Sequence, residues 1–290
     1  MKIKKGQIIL NIFHILLCAC IVIPFIIMVS VSLSSEADIS KYGYSLFPKK
    51  IDLTAYKYVL RNPTQIIDSY KVTFAFSIIG MVMSVFLMAL VAYPLSRRIT
   101  KGKRGVSFYL YFTMLFGGGL VPTYILNTQY LHLNDSFWIY IIPSLINPWY
   151  VFMMRTAFKD IPESIVESAY VDGASEYMIF GKFILPMSKP IIATVALFVF
   201  LAKWNDWYTC MLYISSPKLK SLQYMLQEIL LNLQLMKEMQ DKGNQLDFGT
   251  IPSETARMAT AVVVAGPALV FFPFFQKYFV RGITVGSVKG

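Results

Sequence analysis

Apolar residues along the chain gather into six long blocks rather than short periodic stripes. The blocks run from Ile8 to Leu33, Val72 to Ser96, Val106 to Leu126, Ser136 to Met154, Pro190 to Ile214 and Ala259 to Gln276. Each approaches the ~20 residues that a helix needs to cross a hydrocarbon core. The pattern predicts an all-α integral membrane chain with six transmembrane helices, and what remains is tails and loops too short for a separate soluble catalytic domain. The first block follows Met1-Lys2-Ile3-Lys4-Lys5, which is also how a signal peptide begins. Its apolar stretch exceeds the roughly 7 to 15 residues of such a signal, so a retained helix is expected.

Two connecting segments on one side are long, Ser34 to Lys71 and Ser215 to Met258. Within the second, Gln223 to Leu231 reads as an amphipathic helix followed by the polar run Lys242-Gly243-Asn244-Gln245. Such a loop either meets an external partner or merely covers the bundle, since loops longer than ~12 residues are functional or disordered more often than idle. On the other side lies the loop 155–189. After Pro162, a helix from Glu163 through Val171 places Ile165, Val166, Ala169 and Tyr170 on an apolar side and Glu163 and Glu167 on another. Asp172-Gly173 ends it, Ser175 is placed to cap a second short helix toward Lys182, and Pro186 opens the next span. Periodicity by itself also fits an ordinary pair of interfacial helices lying on the headgroups.

Composition agrees with the pattern: 56% of residues are hydrophobic and 15% charged, against roughly 25% charged in soluble domains. The net charge of +11 is unevenly spread. With both termini inside, 15 Lys and Arg accompany 5 acids on the cytoplasmic side, and 11 accompany 10 outside. This is the positive-inside asymmetry, and it accounts for the basic character without any nucleic acid. Cys18, Cys20 and Cys210 all lie in apolar blocks and offer no disulfide framework. His14 and His132 stand far apart with no ligand spacing, so no metal site is expected. The one ionisable pair well within a span is Lys203 and Asp206. Three apart on one helix, they either neutralise each other or face a solute path. No nucleophile and base share a recognisable spacing, which weighs against a membrane-embedded enzyme.

The run Glu167-Ser168-Ala169-Tyr170-Val171-Asp172-Gly173, then nine intervening residues, then Phe183-Ile184-Leu185-Pro186, resembles the EAA motif of bacterial ABC importer membrane subunits. Ser168 stands for the middle alanine and Phe183 for an isoleucine. Phe158 to Pro162 is similar to the segment that leads into this loop in carbohydrate importers. Gly117 to Tyr124, Trp204-Asn205-Asp206-Trp207, Pro252 to Ala259 and the end from Gln276 to Gly290 resemble the smaller, maltose-type permease, with the glycine run nearest the oligosaccharide-importing branch.

The resemblance implies the fold of an ABC type I importer permease with cytoplasmic coupling helices. It makes residues 1–290 one transmembrane domain whose core spans run from about 72 to 280, with the coupling loop at 155–189 and an external loop at 215–258. It further implies a second permease, two ATPase subunits holding Mg-ATP, and an extracellular solute-binding protein that delivers an oligosaccharide. This chain carries no phosphate loop, and neither a cofactor nor catalysis is expected of it. The implied setting is the bacterial cytoplasmic membrane, multi-pass among its lipids, with both termini cytoplasmic. Glu167, Ala169, Asp172, Gly173, Ala174, Leu185 and Pro186 would couple to the ATPases, and the tail residues Gln276, Gly282, Gly286, Lys289 and Gly290 would reach between them.

For the path itself, sugars present flat C–H faces that stack on aromatic rings and hydroxyls that need amide or carboxyl partners. Tyr124, Trp204, Asn205, Asp206, Trp207 and Tyr208 offer both. Packing between helices, or anchoring at the membrane interface, would employ the same aromatics. Since the EAA loop faces the ATPase, it leaves amino acid, peptide or phosphate cargo open.

Overall fold

A computed structural model describes residues 5–98, 100–241 and 253–267, and every regular element among them is helical. The described residues divide into two compact units: residues 5–66 with 225–241 and 253–267, and residues 67–224.

The first unit opens with α1 (Lys5–Ser32). Its Gly6–Ser32 stretch is long and apolar enough to cross a membrane, and most of its large side chains are exposed, as a helix bathed in lipid requires. At its end Ser32 Oγ donates to Val29 O and lies 2.9 Å from the Tyr56 hydroxyl. Two short helices follow, α2 (Glu36–Tyr42) and α3 (Thr54–Val59). Ser35 caps α2 by accepting from Asp38 N–H. Asp52 accepts from both the backbone and the hydroxyl of Thr54, and the hydroxyl bond above all holds its carboxyl below the usual carboxylate range.

Glu36 has a more distant task. Its carboxylate accepts from Glu254 N and Thr255 N at 3.0 Å each and from the hydroxyls of Ser253 and Thr255. These groups open the helix 253–267, so the acid satisfies free donors where the helix dipole favours negative charge. That helix begins six residues before the expected span at Ala259, and the stretch of the span after Pro267 lies outside the described residues, as do Lys242 to Gln245. The expected amphipathic segment at 223–231 is the first half of a longer helix, Leu222–Asp241.

In the second unit α4 (Pro63–Ser96) is the other straight helix long enough to span. The third, fourth and fifth blocks depart from expectation, because none of them is one straight helix. α5 (Lys103–Leu115) meets α6 (Leu120–Ile125) and its π-helical continuation to Tyr130 at 113°. Gly117 to Gly119 separate them, and Gly119 has φ +84°, a conformation that glycine adopts without strain. Residues 137–144 form two 3-10 turns that meet α7 (Pro148–Lys159) at 53°, where Asn147 caps the new helix by accepting from Trp149 N–H. After α8 (Glu163–Val171), α9 (Glu176–Ile179) and α10 (Leu185–Met187), the chain turns by 80° into α11 (Lys189–Trp204). α11 stops at Asn205, and α12 (Tyr208–Tyr213) and α13 (Leu222–Asp241) follow. Two straight spans, or five if each bent pair is one span, are thus described. Glycine and proline set most of these breaks, and broken backbone at membrane depth persists where protein or a cavity lines it.

Candidate functional site

The EAA segment forms a built corner. α8 ends in a Schellman motif: Gly173 N–H donates to Tyr170 O and Ala174 N–H to Ala169 O, both at 2.9 Å. Gly173 has φ +78°, which this motif demands and side-chain-bearing residues resist. Ala169 and Ala174, the two residues that such a motif brings together, both pack into the core around Met88, Ala92 and Phe158. The spacing of alanine and glycine in the motif is therefore the spacing of a helix stop. Ser175 then caps α9 by accepting from Met178 N–H.

Val166 and Ala169 are buried as periodicity predicts, and Ile165 is half-buried. Tyr170 is not part of that apolar face: it is 38% exposed, and its hydroxyl donates to Glu176. Burial above all, and then this bond, push its phenol above the usual tyrosine range. Ser168, at the motif's middle position, turns its hydroxyl to its own helix and donates to Ser164 O at 2.8 Å. That bond makes serine a compatible neighbour for alanine. Glu167 and Asp172 are exposed, and neither closes an ion pair among the described residues. Glu163 pairs with Arg98 at 3.3 Å. Leu185 and Pro186 line an apolar groove with Met81, Val85 and Phe86 of α4.

A second place of interest is a cleft of about 420 Å³ within the same unit, which the broken spans create. Asn127, Ser144, Asp206, Tyr208 and Tyr213 are among its walls, so polar groups from three segments distant in the chain, 120–127, 139–144 and 206–213, converge there. Tyr124 stacks on Tyr213 with ring centres 5.4 Å apart, and Asn127 Nδ2 donates to the Tyr213 hydroxyl at 3.1 Å. Of the residues proposed for a path, Asp206 and Tyr208 line this cleft and Tyr124 stacks against its wall.

The others do not. Trp204 is a core residue, 1% exposed, edge-on to Phe74 and stacked with Phe200. Asn205 ends α11, bonding Leu201 O and Gln223. Trp207 stands edge-on to Tyr208 in the break. The expected midspan cluster is in fact a helix terminus, and that changes which way each side chain faces.

Lys203 and Asp206 likewise close no ion pair among the described residues. Because α11 ends between them, they no longer share a helix face. The Lys203 ammonium, in a residue 5% exposed, donates to Tyr140 O at 3.0 Å and Ser144 Oγ at 2.9 Å. It thereby satisfies a carbonyl at the break between the two 3-10 turns. Its stem lies over Gly80 of α4, where a Cβ would fall 2.5 Å from Lys203 Cε. A buried lysine in an apolar span signals such a tie in the sequence, but its partners are distant in the chain. Asn127 and Tyr213 were also missed, lying in stretches with no motif. The tail residues Gln276, Gly282, Gly286, Lys289 and Gly290 lie outside the described residues.

Comparisons with known proteins fit this architecture. The chain is 36% identical over 279 residues to the polygalacturonan/rhamnogalacturonan transport system permease protein YtcP of Bacillus subtilis, covering 96% of each chain. It is 35% identical to protein LplC of the same organism, over 94% of this chain and 90% of LplC. Its fold matches a chain in the crystal structure of a bacterial ABC transporter involved in the import of the acidic polysaccharide alginate, with a TM-score of 0.80 and 28% identity over 96% of this chain and 99% of that one. The family described as binding-protein-dependent transport system inner membrane component matches residues 68–285. This chain belongs to that family and is a membrane-embedded permease of an ABC importer.

Proposed function

We propose that this chain is one of two permeases that together form the path for an oligosaccharide delivered by an external binding protein. Two separate ATPase subunits, which hold Mg-ATP, power the cycle. The observation that carries the cargo reading is the end-to-end likeness to YtcP, a permease named for galacturonan and rhamnogalacturonan transport. The cleft supports it chemically. Asn127 and Asp206 offer amide and carboxylate groups to hydroxyls, and the Tyr124, Tyr208 and Tyr213 rings offer flat faces to C–H surfaces.

The loop 155–189 is the place where the ATPase engages. Its exposed tips Val171 and Tyr177, 88% and 86% exposed, give apolar contact, and Glu167 gives a carboxylate for a basic residue of the partner. ATPase closure moves the spans only through contacts that differ between its states, and a corner fixed at Gly173 can carry such a load. The charge asymmetry supports a cytoplasmic setting for this loop and both termini. The tail from Gln276 to Gly290 would then extend between the ATPases.

The test is reconstitution of the complex that co-purifies with this chain, followed by ATP-dependent uptake of labelled oligogalacturonides, maltodextrins, dipeptides and phosphate into vesicles. Saccharide uptake is expected. Uptake of peptide or phosphate with no saccharide transported would overturn the cargo reading.

A further inference from the structure

One carboxylate joins three elements at the corner of the EAA loop. Glu176, the first residue of α9, accepts from the hydroxyl of Tyr170 on α8 through one oxygen and from the hydroxyl of Tyr93 on α4 through the other. Tyr93 is nearly buried, its ring tilted against Phe180 at 5.2 Å, and the Arg97 guanidinium lies 6.0 Å from the ring centre. Tyr170 and Glu176 stand on opposite sides of the Gly173 turn. Their bond therefore closes a ring across the Gly173 turn, and Tyr93 fastens that ring to a membrane-spanning helix.

We infer that Glu176 is a positioning residue for coupling: it locks the angle between α8 and α9 and ties both to α4, so that a push on α8 moves the span instead of flexing the turn. The motif residues Glu167, Ala169 and Gly173 do not supply this tie. Ala169 and Gly173 shape the stop, and Glu167 points away from it into solvent. Apolar packing of Val166 and Ala169 holds α8 down and the Schellman bonds set the turn at Gly173, but packing is non-directional and those bonds are confined to the backbone of the turn. Two charge-assisted hydrogen bonds to one acceptor supply the direction. The coupling role rests on the loop being the ATPase contact, whereas the lock itself does not.

Two readouts separate them. The first uses spin labels at Val171 and Lys101, both exposed, in a complex whose native cysteines are replaced by alanine; the distance distribution between the labels reports the set of the corner. The second is solute transported per ATP hydrolysed by the reconstituted complex, at matched complex yield. Tyr170→Phe and Tyr93→Phe remove only a hydroxyl and keep each ring, so folding is preserved.

Each is expected to broaden the distribution and to lower transport per ATP by roughly three- to tenfold. Glu176→Ala should do the same, with little further loss when combined with Tyr170→Phe. Glu176→Gln, which keeps an acceptor oxygen, should recover part of the ratio. Unchanged distances in both phenylalanine variants would overturn the lock. Broadened distances with wild-type transport per ATP would overturn the coupling role. If the wild-type complex binds no ATPase at this loop, the functional reading falls while the distance measurement still decides the lock.

Discussion

Replacing Gly173 isolates a backbone effect from every other effect a substitution can have. Its φ is +78°, and nothing lies within 4 Å of where a Cβ would stand, so an added Cβ meets no neighbour. The cost is then confined to forcing an L-residue into the left-handed region, about 1 to 2 kcal/mol for alanine and toward 3 for a β-branched residue. Asparagine, which visits this region, should cost less than either. At 1.4 kcal/mol per tenfold, a penalty of 1 to 3 kcal/mol lowers the preference for the native turn by about 5- to 150-fold.

The order of activity expected is glycine, asparagine, alanine, valine. Complexes carrying each variant are purified through a tag on this chain, and ATPase retention and ATP-driven saccharide uptake are measured together. Insertion into the membrane should be equal throughout, because the loop lies outside the spans. Gly181→Ala serves as a control: Gly181 also has open space, but its backbone is helical without positive φ, so alanine there should be neutral or slightly stabilising. Wild-type retention and uptake in Gly173→Val would refute the reasoning. So would an asparagine variant as damaged as the valine one, since the side chain and not the backbone would then be at fault.

Further outcomes follow from other contacts. Lys203→Met leaves the Tyr140 carbonyl with only the long 3.4 Å bond from Ser144 Oγ and should cost about 1 to 3 kcal/mol, read as a lower unfolding temperature in detergent. Gly80→Ala displaces the same lysine stem, so it should destabilise the wild type but add little to Lys203→Ala, which removes the stem. Glu36→Ala frees the donors that open the helix 253–267 and should cost about 1 to 2 kcal/mol, visible as faster proteolysis near Ser253 while α4 stays protected. In the cleft, Asn127→Ala and Asp206→Asn should change the apparent affinity or preference for saccharide while leaving ATPase retention intact; unaltered uptake in both would assign the cleft to packing.

The sequence by itself determined the class of molecule. Block length, low charge and the uneven spread of Lys and Arg depend on the solvent around the chain, and a bilayer imposes the same demand on every residue of a span. The corner at 163–182 was legible for a related reason. A helix stop is a local event, and alanine, glycine and a capping serine at fixed spacing bring their hydrogen bonds with them.

What the tertiary structure decided is where the spans break and which side chains meet there. The glycines at 117–119 and the prolines at 122, 148, 186 and 190 mark places where a helix is weak, but surrounding packing sets whether it bends and by how much. The end of α11 at Asn205 turned Trp204 into the core, took Lys203 and Asp206 off a shared helix face and brought Asp206 to a cleft with Asn127 and Tyr213, 79 and 7 residues away. The tie from Lys203 to Tyr140 spans 63 residues, and the bond from Tyr93 to Glu176 spans 83. Periodicity assigns a residue to a face of its own helix. The partner on that face is fixed only when distant segments pack, because burial removes water and makes each polar group find another across the chain.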